Sequence, residues 1–257
     1  MVSAEGISYR VKDKILLHPA SISFDLSRFH VIMGPNGAGK TTLLKLLAGA
    51  EKPCSGTVKI DGKELKEYNQ QQLARKRAVL SQHYDISFPI NVEDIIMMGR
   101  YPYFNTSPSA DDVDVCNEVM KKMEVTDFRN RDYNTLSGGE GQKVQMSRVL
   151  AQIHDKTETS SKLLFLDEPV SHLDIKYQFQ LLQVAKDFNS HNTTVIAILH
   201  DINLALSFAD RILFMKQGKI YHDLNEIHHI SSEIIEEVFD VKCRIIYPED
   251  NKPVVLF

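Results

Sequence analysis

The 257-residue chain reads as an α/β fold in which a mixed sheet is interrupted by an all-helical insertion. Three observations predict it. Short apolar strands alternate with segments of helical period, the pattern of a parallel or mixed sheet. A glycine-rich run separates one such strand from the helix after it. From Val92 to about Ile153 strand character disappears and the chain reads as mainly helical.

In chain order, "SISFDL" (Ser21–Leu26) alternates as a half-buried strand does. "HVIM" leads into "GPNGAGK", and "TTLLKLLAGA" follows with apolar residues at 43, 44, 46 and 47, giving strand, glycine loop and helix. "GTVKIDGKEL" predicts a strand closed by an Asp-Gly turn, and "RAVLSQ" a short apolar strand. Helices are predicted over Val92–Gly99, Asp111–Met123 and Gly138–Ile153. Cys116, Val119, Met120 and Met123 share one face of the second, and Met146, Val149, Leu150 and Ile153 one face of the third. Such stripes signify core packing. After the polar run "HDKTETSSK", strands return in "LLFLDEP" and "TTVIAILH", separated by a helix at Ile175–Asn189. "RILFMKQGKIYH" reads as a hairpin turning at Lys216–Gly218.

Bulk properties exclude several classes. Hydrophobic residues make up 43% and charged residues 25%, as in ordinary globular chains. A net charge of −4 supplies no bulk basic field for nucleic acid. Cys54, Cys116 and Cys243 form neither a CxxC pair nor a zinc spacing, so they read as free thiols in a reducing compartment. "MVSAEGISYR" has no apolar signal core, and runs such as "VIAIL" fall far short of the ~18 residues of a membrane span. A cytosolic chain is expected, any work at a membrane coming through a partner.

Gly34-Pro35-Asn36-Gly37-Ala38-Gly39-Lys40-Thr41 fits the phosphate-loop pattern GxxxxGK[ST] throughout. Glycines let consecutive main-chain N–H groups converge on a β-phosphate, and the helix beginning at Lys40 adds its positive end. Lys40 would neutralise β- and γ-oxygens, Thr41 would hold Mg²⁺, and Thr42 would reach the α-phosphate. ATP is favoured over GTP because no NKxD pattern occurs.

A buried strand that ends in acids needs an external reason, because unpaired buried carboxylates are costly. Asp167, ending "LLFLD", suits Mg²⁺ through its water shell, and Glu168 suits polarising the attacking water. Gln82 follows "RAVLS" and His200 follows "VIAIL". Ligands in such folds lie at the C-terminal strand ends, where Gln82 would meet Mg²⁺ or water and His200 the γ-phosphate.

A second glycine loop, "NTLSGGE", opens the third helix. Ser137 is a plausible N-cap with Glu140 placed for a capping box, which would need no further function. A capping box does not require Gly138 and Gly139 at the first turn, however, and bare N–H groups there suit phosphate. Since the chain has its own phosphate loop, a second half-site suits the γ-phosphate held by another copy. Two copies arranged head to tail would close each other's sites and bury two ATPs.

"GPNGAGKTT", "LSQ", "LSGGE", "LLFLDEP", "SHLD" and "ILHD" occur in the order found in ATP-binding-cassette (ABC) ATPases, which the chain resembles over most of its length. The resemblance implies a P-loop NTPase (RecA-like) core with a mixed sheet plus an inserted α-helical subdomain. It divides the single domain 1–257 into a core of 1–91 and 156–257 and a signature subdomain of about 92–155. It makes Gln82 the Q-loop, Leu136–Glu140 (Leu136, Ser137, Gly138, Gly139, Glu140) the signature, His200 the switch histidine, and Ser171, His172, Leu173 and Asp174 the D-loop. Tyr9 matches the aromatic that stacks on adenine.

No heptads or second cassette suggest chromosome-maintenance or translation relatives, and a separate importer subunit fits best. "FPINVEDIIMMGRYPYF", "RDYNTLSGGE" and "LHDINLALSFAD" are similar to ATPases of iron-siderophore, haem and cobalamin importers. "LARKRAV" and the polar insertion before "LLFLDEP" look most like the haem branch. A siderophore or cobalamin importer, and a non-transport cytosolic ATPase, remain the alternatives. The resemblance implies ATP and Mg²⁺, a second copy of the chain, two permease subunits, indirectly a substrate-binding protein, and a peripheral place on the cytoplasmic face of the inner membrane. It implies no nucleic acid. The segment around Phe88–Phe104 would receive the permease. Departures are Gly141 and Lys143, where the branch has a longer polar residue and an arginine, His172 in the D-loop, and "SRFH", which lacks the usual glycine.

Overall fold

The computed structural model describes residues 1–82, 84, 86–154, 161–171, 173–189, 192–248 and 252–257. The chain forms two compact units, Met1–Glu67 with Thr194–Phe257, and Tyr68–Thr193.

The first unit begins with β1 (Val2–Val11) and β2 (Lys14–Phe24), an antiparallel pair. Then come the buried strand β3 (Phe29–Met33), helix α1 (Lys40–Leu47), and β4 (Ser55–Ile60) with β5 (Lys63–Glu64). β2, β1, β4 and β5 lie in that order in one antiparallel sheet. The predicted Asp-Gly turn joins β4 to β5, with Asp61 at φ 51° and Gly62 at φ 79°, the mirror-type turn that matches strand twist.

The second unit comprises α2 (Gln70–Lys76), β6 (Arg77–Leu80), α3 (Val92–Met98), α4 (Ala110–Lys122), α5 (Gly138–Ile153), β7 (Lys162–Asp167) and α6 (Ile175–Asn189). β6 and β7 pair in parallel. The three predicted helices are present to within a residue at their ends. Their apolar stripes are core, with Met120, Val119, Met146, Val149 and Leu150 fully buried. The helical run lies within this unit, which extends beyond 92–155 because α5 packs on β6 and β7 as well as on α3 and α4. Arg100 fastens the helices together. Its Nε donates to Asp112 Oδ1 of α4 (2.9 Å), and its Nη1 to the Ala151 and His154 carbonyls at the end of α5 (2.7 Å each).

The chain returns to the first unit through β8 (Thr193–Ile198), α7 (Ile202–Phe208), β9 (Arg211–Lys216), β10 (Lys219–Leu224), α8 (Ser232–Phe239), β11 (Arg244–Ile246) and β12 (Val254–Leu256). β3 lies in parallel register between β8 and β9, and β10 pairs antiparallel with β9. Every residue of β3, β7 and β8 is buried, which is why apolar residues run consecutively at Val31–Met33, Leu163–Leu166 and Val195–Ile198. The predicted hairpin turns at Gln217 (φ 50°) and Gly218 (φ 73°).

The sequence reading does not anticipate β1, α2, α7, α8 or the β11–β12 pair. The helices among these have seven or eight residues, about two turns, which give only a weak periodic signal. Among the described residues no helix is long and apolar enough to cross a membrane.

Candidate functional site

Strand β3 runs into the glycine loop and the loop into α1. Gly39, at φ 94°, is the N-cap of α1 and leaves the helix without a side-chain cap. Among the described α-helices, α1 is the one that has neither a side-chain cap nor an acid in its first turn. Its first N–H groups and its dipole are left for an anion. A Cβ on Gly39 would stand 2.6 Å from the Leu16 carbonyl, so strand β2 passes directly beneath the loop. The β9–β10 turn braces it as well, with the Gly218 N–H donating to the Ala38 carbonyl at 3.0 Å. Lys40 is 5% exposed and folds back over the loop, its Nζ donating to the carbonyls of Gly34 (2.8 Å) and Pro35 (3.0 Å).

In the same unit the register pairs Ile32 of β3 with Ile198 of β8. Two residues further on, Gly34 and His200 leave the C-terminal ends of adjacent parallel strands, the edge where ligands bind in such sheets. His200 is exposed. Tyr9, on β1, is half-buried, and its Oη donates to Glu51 Oε2 at 3.1 Å. That hydrogen bond to a carboxylate holds the phenol above its ordinary pKa.

The second unit assembles the other polar residues by the same rule. Leu80 of β6 pairs with Leu166 of β7, so Gln82 and Glu168 emerge side by side, and Gln82 Nε2 donates to Glu168 Oε2 at 2.8 Å. Asp167, 4% exposed, ends β7. Glu168 takes a left-handed φ of 51°, a conformation costly for a side-chain-bearing residue, so its direction is set by a turn and not by strand alternation. The turn closes where the Ser171 N–H and Oγ both donate to the Glu168 carbonyl, at 3.3 and 3.0 Å. Leu173 is 8% exposed. Asp174 caps α6 by accepting the Tyr177 N–H at 3.1 Å. His172 lies outside the described residues, as do 155–160 of the polar insertion.

The capping box at Ser137 is present. Ser137 N–H and Oγ both donate to Glu140 Oε2 at 2.8 Å, and the Glu140 N–H donates back to Oγ at 3.3 Å. These bonds from Ser137 hold the Glu140 carboxyl below its ordinary pKa. Gly138 is another matter. Its φ is not positive, a Cβ there would meet nothing within 4 Å, and it is exposed. Among the described residues nothing requires glycine at 138. Gly141 does have an internal reason, because a Cβ there would stand 3.3 Å from the Tyr133 hydroxyl. Lys143 is 8% exposed, and burial depresses its pKa. Its Nζ lies 3.5 Å from the centroid of the Tyr177 ring, a cation–π contact. On the same helix, Gln142 Nε2 donates to the Pro169 carbonyl (2.8 Å), tying α5 to the turn after Glu168.

The Phe88–Phe104 segment exposes Phe88 (56%) and Tyr101 (57%). Gln71, Met98, Tyr101, Pro102 and Phe104 line a shallow cavity of about 430 Å³ there. One wall is α2, whose Gln71 and Arg75 both donate to the Pro102 carbonyl. Sequence reasoning missed this helix, although the Asn69–Gln72 capping box that starts it is a legible signal.

A glycine loop before an uncapped helix, acids at the end of a buried strand and a helical arm with its own glycine loop together define a nucleotide-hydrolysing α/β protein of the ATP-binding-cassette class. Residues 17–171 match the family described as ABC transporter. A hemin import ATP-binding protein of Rhodopseudomonas palustris is 38% identical over 262 residues, covering 99% of this chain and 94% of that protein. One from Nitrobacter winogradskyi is 36% identical over 257 residues, covering 100% and 94%. Among solved structures, an inward-facing metal-chelate type ABC transporter superposes with a TM-score of 0.80 at 24% identity, covering all of this chain and 97% of the other. A dimeric ATP-binding cassette in a post-hydrolysis state with ADP and Pi has a TM-score of 0.75 at 26% identity, covering 87% and 97%. The chain belongs to the ABC transporter family and is an ATP-hydrolysing cassette of it.

Proposed function

We propose that the chain energises haem uptake, as the ATPase subunit of an importer working as a head-to-tail homodimer beneath two permease subunits, on the cytoplasmic face of the inner membrane. A substrate-binding protein delivers the cargo and never touches this subunit. The likeness to hemin import ATP-binding proteins over nearly the whole chain supports the cargo.

Within each cassette, Tyr9 stacks on adenine, and the amides of 34–39 with Lys40 and Thr42 bind the phosphates. Glu168 draws a proton from the attacking water, and His200 contacts the γ-phosphate. The arrangement works by positioning and charge stabilisation, the usual source of rate in phosphoryl transfer. A hydroxyl, an amide oxygen and a carboxylate are hard oxygen donors that suit Mg²⁺ with retained waters, so Thr41, Gln82 and Asp167 would hold that ion. When bound it neutralises charge on the β- and γ-oxygens. The arm bearing 136–140, within a subdomain of about 92–155, presents Ser137–Gly139 to the partner copy's ATP, while Ser171–Asp174 line the same contact. The exposed aromatic surface of Phe88–Phe104, with the α2 wall beside it, receives the permease.

The observation that carries the shared site is Gly138, bare and exposed with no reason among the described residues. Its missing side chain makes room for a group from outside, and the start of a helix favours a phosphate. Glu168→Gln tests this reading. The variant should bind ATP, lose turnover and accumulate as a dimer, measured by light scattering with and without ATP. A variant that stays monomeric in saturating ATP rules out the shared site. Haem-stimulated ATPase activity in the reconstituted complex tests the cargo, and stimulation by a siderophore or cobalamin alone would replace it.

A further inference from the structure

The last strand of the chain is tied to the helix that follows His200. Asn203, on α7, donates from Nδ2 to the Val255 carbonyl (3.0 Å) and accepts the Val255 N–H on Oδ1 (2.8 Å). Val255 is paired with Ile245 of β11. Both of its main-chain groups therefore turn away from β11, as in a pair that exchanges no ladder bonds. The Asn203 amide occupies the free edge of β12 as a one-residue third strand. A two-stranded ribbon is marginal alone, so this bond pair and the burial of Val255 both help hold the C-terminal ribbon in place.

The helix at the other end of the bond pair needs support as well. α7 has seven residues, too few to hold its own conformation. Its start is capped by Asp201 Oδ1, which accepts the Leu204 N–H at 2.9 Å. His200 lies in the three-residue link between β8 and α7. β8 is fixed in the central sheet, so the register of the link depends on where α7 is held. His200 and Ile202 border a cavity of about 590 Å³ whose other walls include Ile235, Phe239, Val241 and the terminal Phe257. Buried Leu204, Ala205, Leu206 and Phe208 seat α7 in the core, and the bonds to β12 fix its first turn beside the cavity.

We propose that Asn203 is a positioning residue for His200, acting through β12, so that the C-terminal ribbon sets the rate of hydrolysis without touching nucleotide. The proposal rests on the reading that His200 contacts the γ-phosphate. Displacing a catalytic group by about 1 Å costs up to ~100-fold in rate, while contacts that bind nucleotide elsewhere are untouched.

The test uses Asn203→Leu, Val255→Pro and the double variant, with His200→Ala as reference. Proline at 255 deletes the N–H that Asn203 accepts and no ladder bond, and α7 keeps its own sequence. Steady-state kcat and KM for ATP, with thermal midpoints, are measured on the full chain. Each single variant should lower kcat roughly ten- to hundred-fold with KM nearly constant. The double variant should lose no more than the worse single one, since both break one contact. Folded variants with normal kcat, or losses that add in the double variant, overturn the proposal. If Asn203→Leu does not fold, Val255→Pro decides alone. Normal variants beside an inactive His200→Ala sink the clamp and leave the nucleotide reading standing. An active His200→Ala sinks both.

Discussion

Gly39 shows what a single residue contributes here. Its φ of 94° lies where side chains are strained, and a Cβ would collide with a main-chain oxygen of β2. Gly39→Ala should lower stability by about 1–3 kcal/mol, read as a fall in the urea midpoint, and should abolish ATP binding in a fluorescence titration. An unchanged midpoint would mean that the loop shifts easily and β2 does not brace it. The glycine-loop pattern was legible in the sequence because each position answers to a local requirement. Tyr133 against Gly141 and Tyr177 against Lys143 were not, because their partners lie on other elements. At the two departures, Gly141 and Lys143, these aromatic neighbours lie against the helix. The positive φ of Glu168 was invisible for a similar reason, since it is imposed by the turn closed at Ser171.

Among the elements, the three helices of 92–153 follow from periodicity, while what holds them does not. Arg100 and Asp112 are nearly buried, with side chains 6% and 5% exposed, and they link the end of α3 to α4 and α5. Burial alone would raise the Asp112 pKa, but hydrogen bonds from Ser109 and Arg100 outweigh it and hold the carboxyl below its ordinary value. A depressed acid contributes stability that is present above its unfolded pKa and lost as pH falls through the folded one. Asp112→Ala should therefore cost about 3–5 kcal/mol near neutrality, leaving Arg100 buried without its counter-charge. The gap between variant and parent in urea midpoint should shrink as pH drops below about 4. A gap independent of pH would remove the ion pair as its cause. Charged side chains in an amphipathic helix read as solvent-facing from sequence. Arg100, just beyond α3, is buried because carbonyls at the end of α5, some fifty residues on, complete its hydrogen bonds.

For the whole molecule, ATP binding should appear as stability. At a hundredfold excess over Kd, a ligand that binds only the folded chain adds about 2.7 kcal/mol. For a chain of this size that corresponds to roughly 5–10 °C in the thermal midpoint. Glu168→Gln with Mg-ATP should show this shift, and the same chain carrying Lys40→Ala in addition should not. A shift that survives loss of Lys40 would place the nucleotide elsewhere. The fold class, the phosphate loop, the acidic strand end and the second glycine loop were determined by the sequence itself, since each rests on residue type at short spacing. Tertiary structure alone decided that Gln82 bonds Glu168, that the β9–β10 turn and β2 support the phosphate loop, and that the last strand holds the helix after His200. These contacts join residues far apart in the chain. Their partners are chosen by strand register and close packing, which no local pattern encodes.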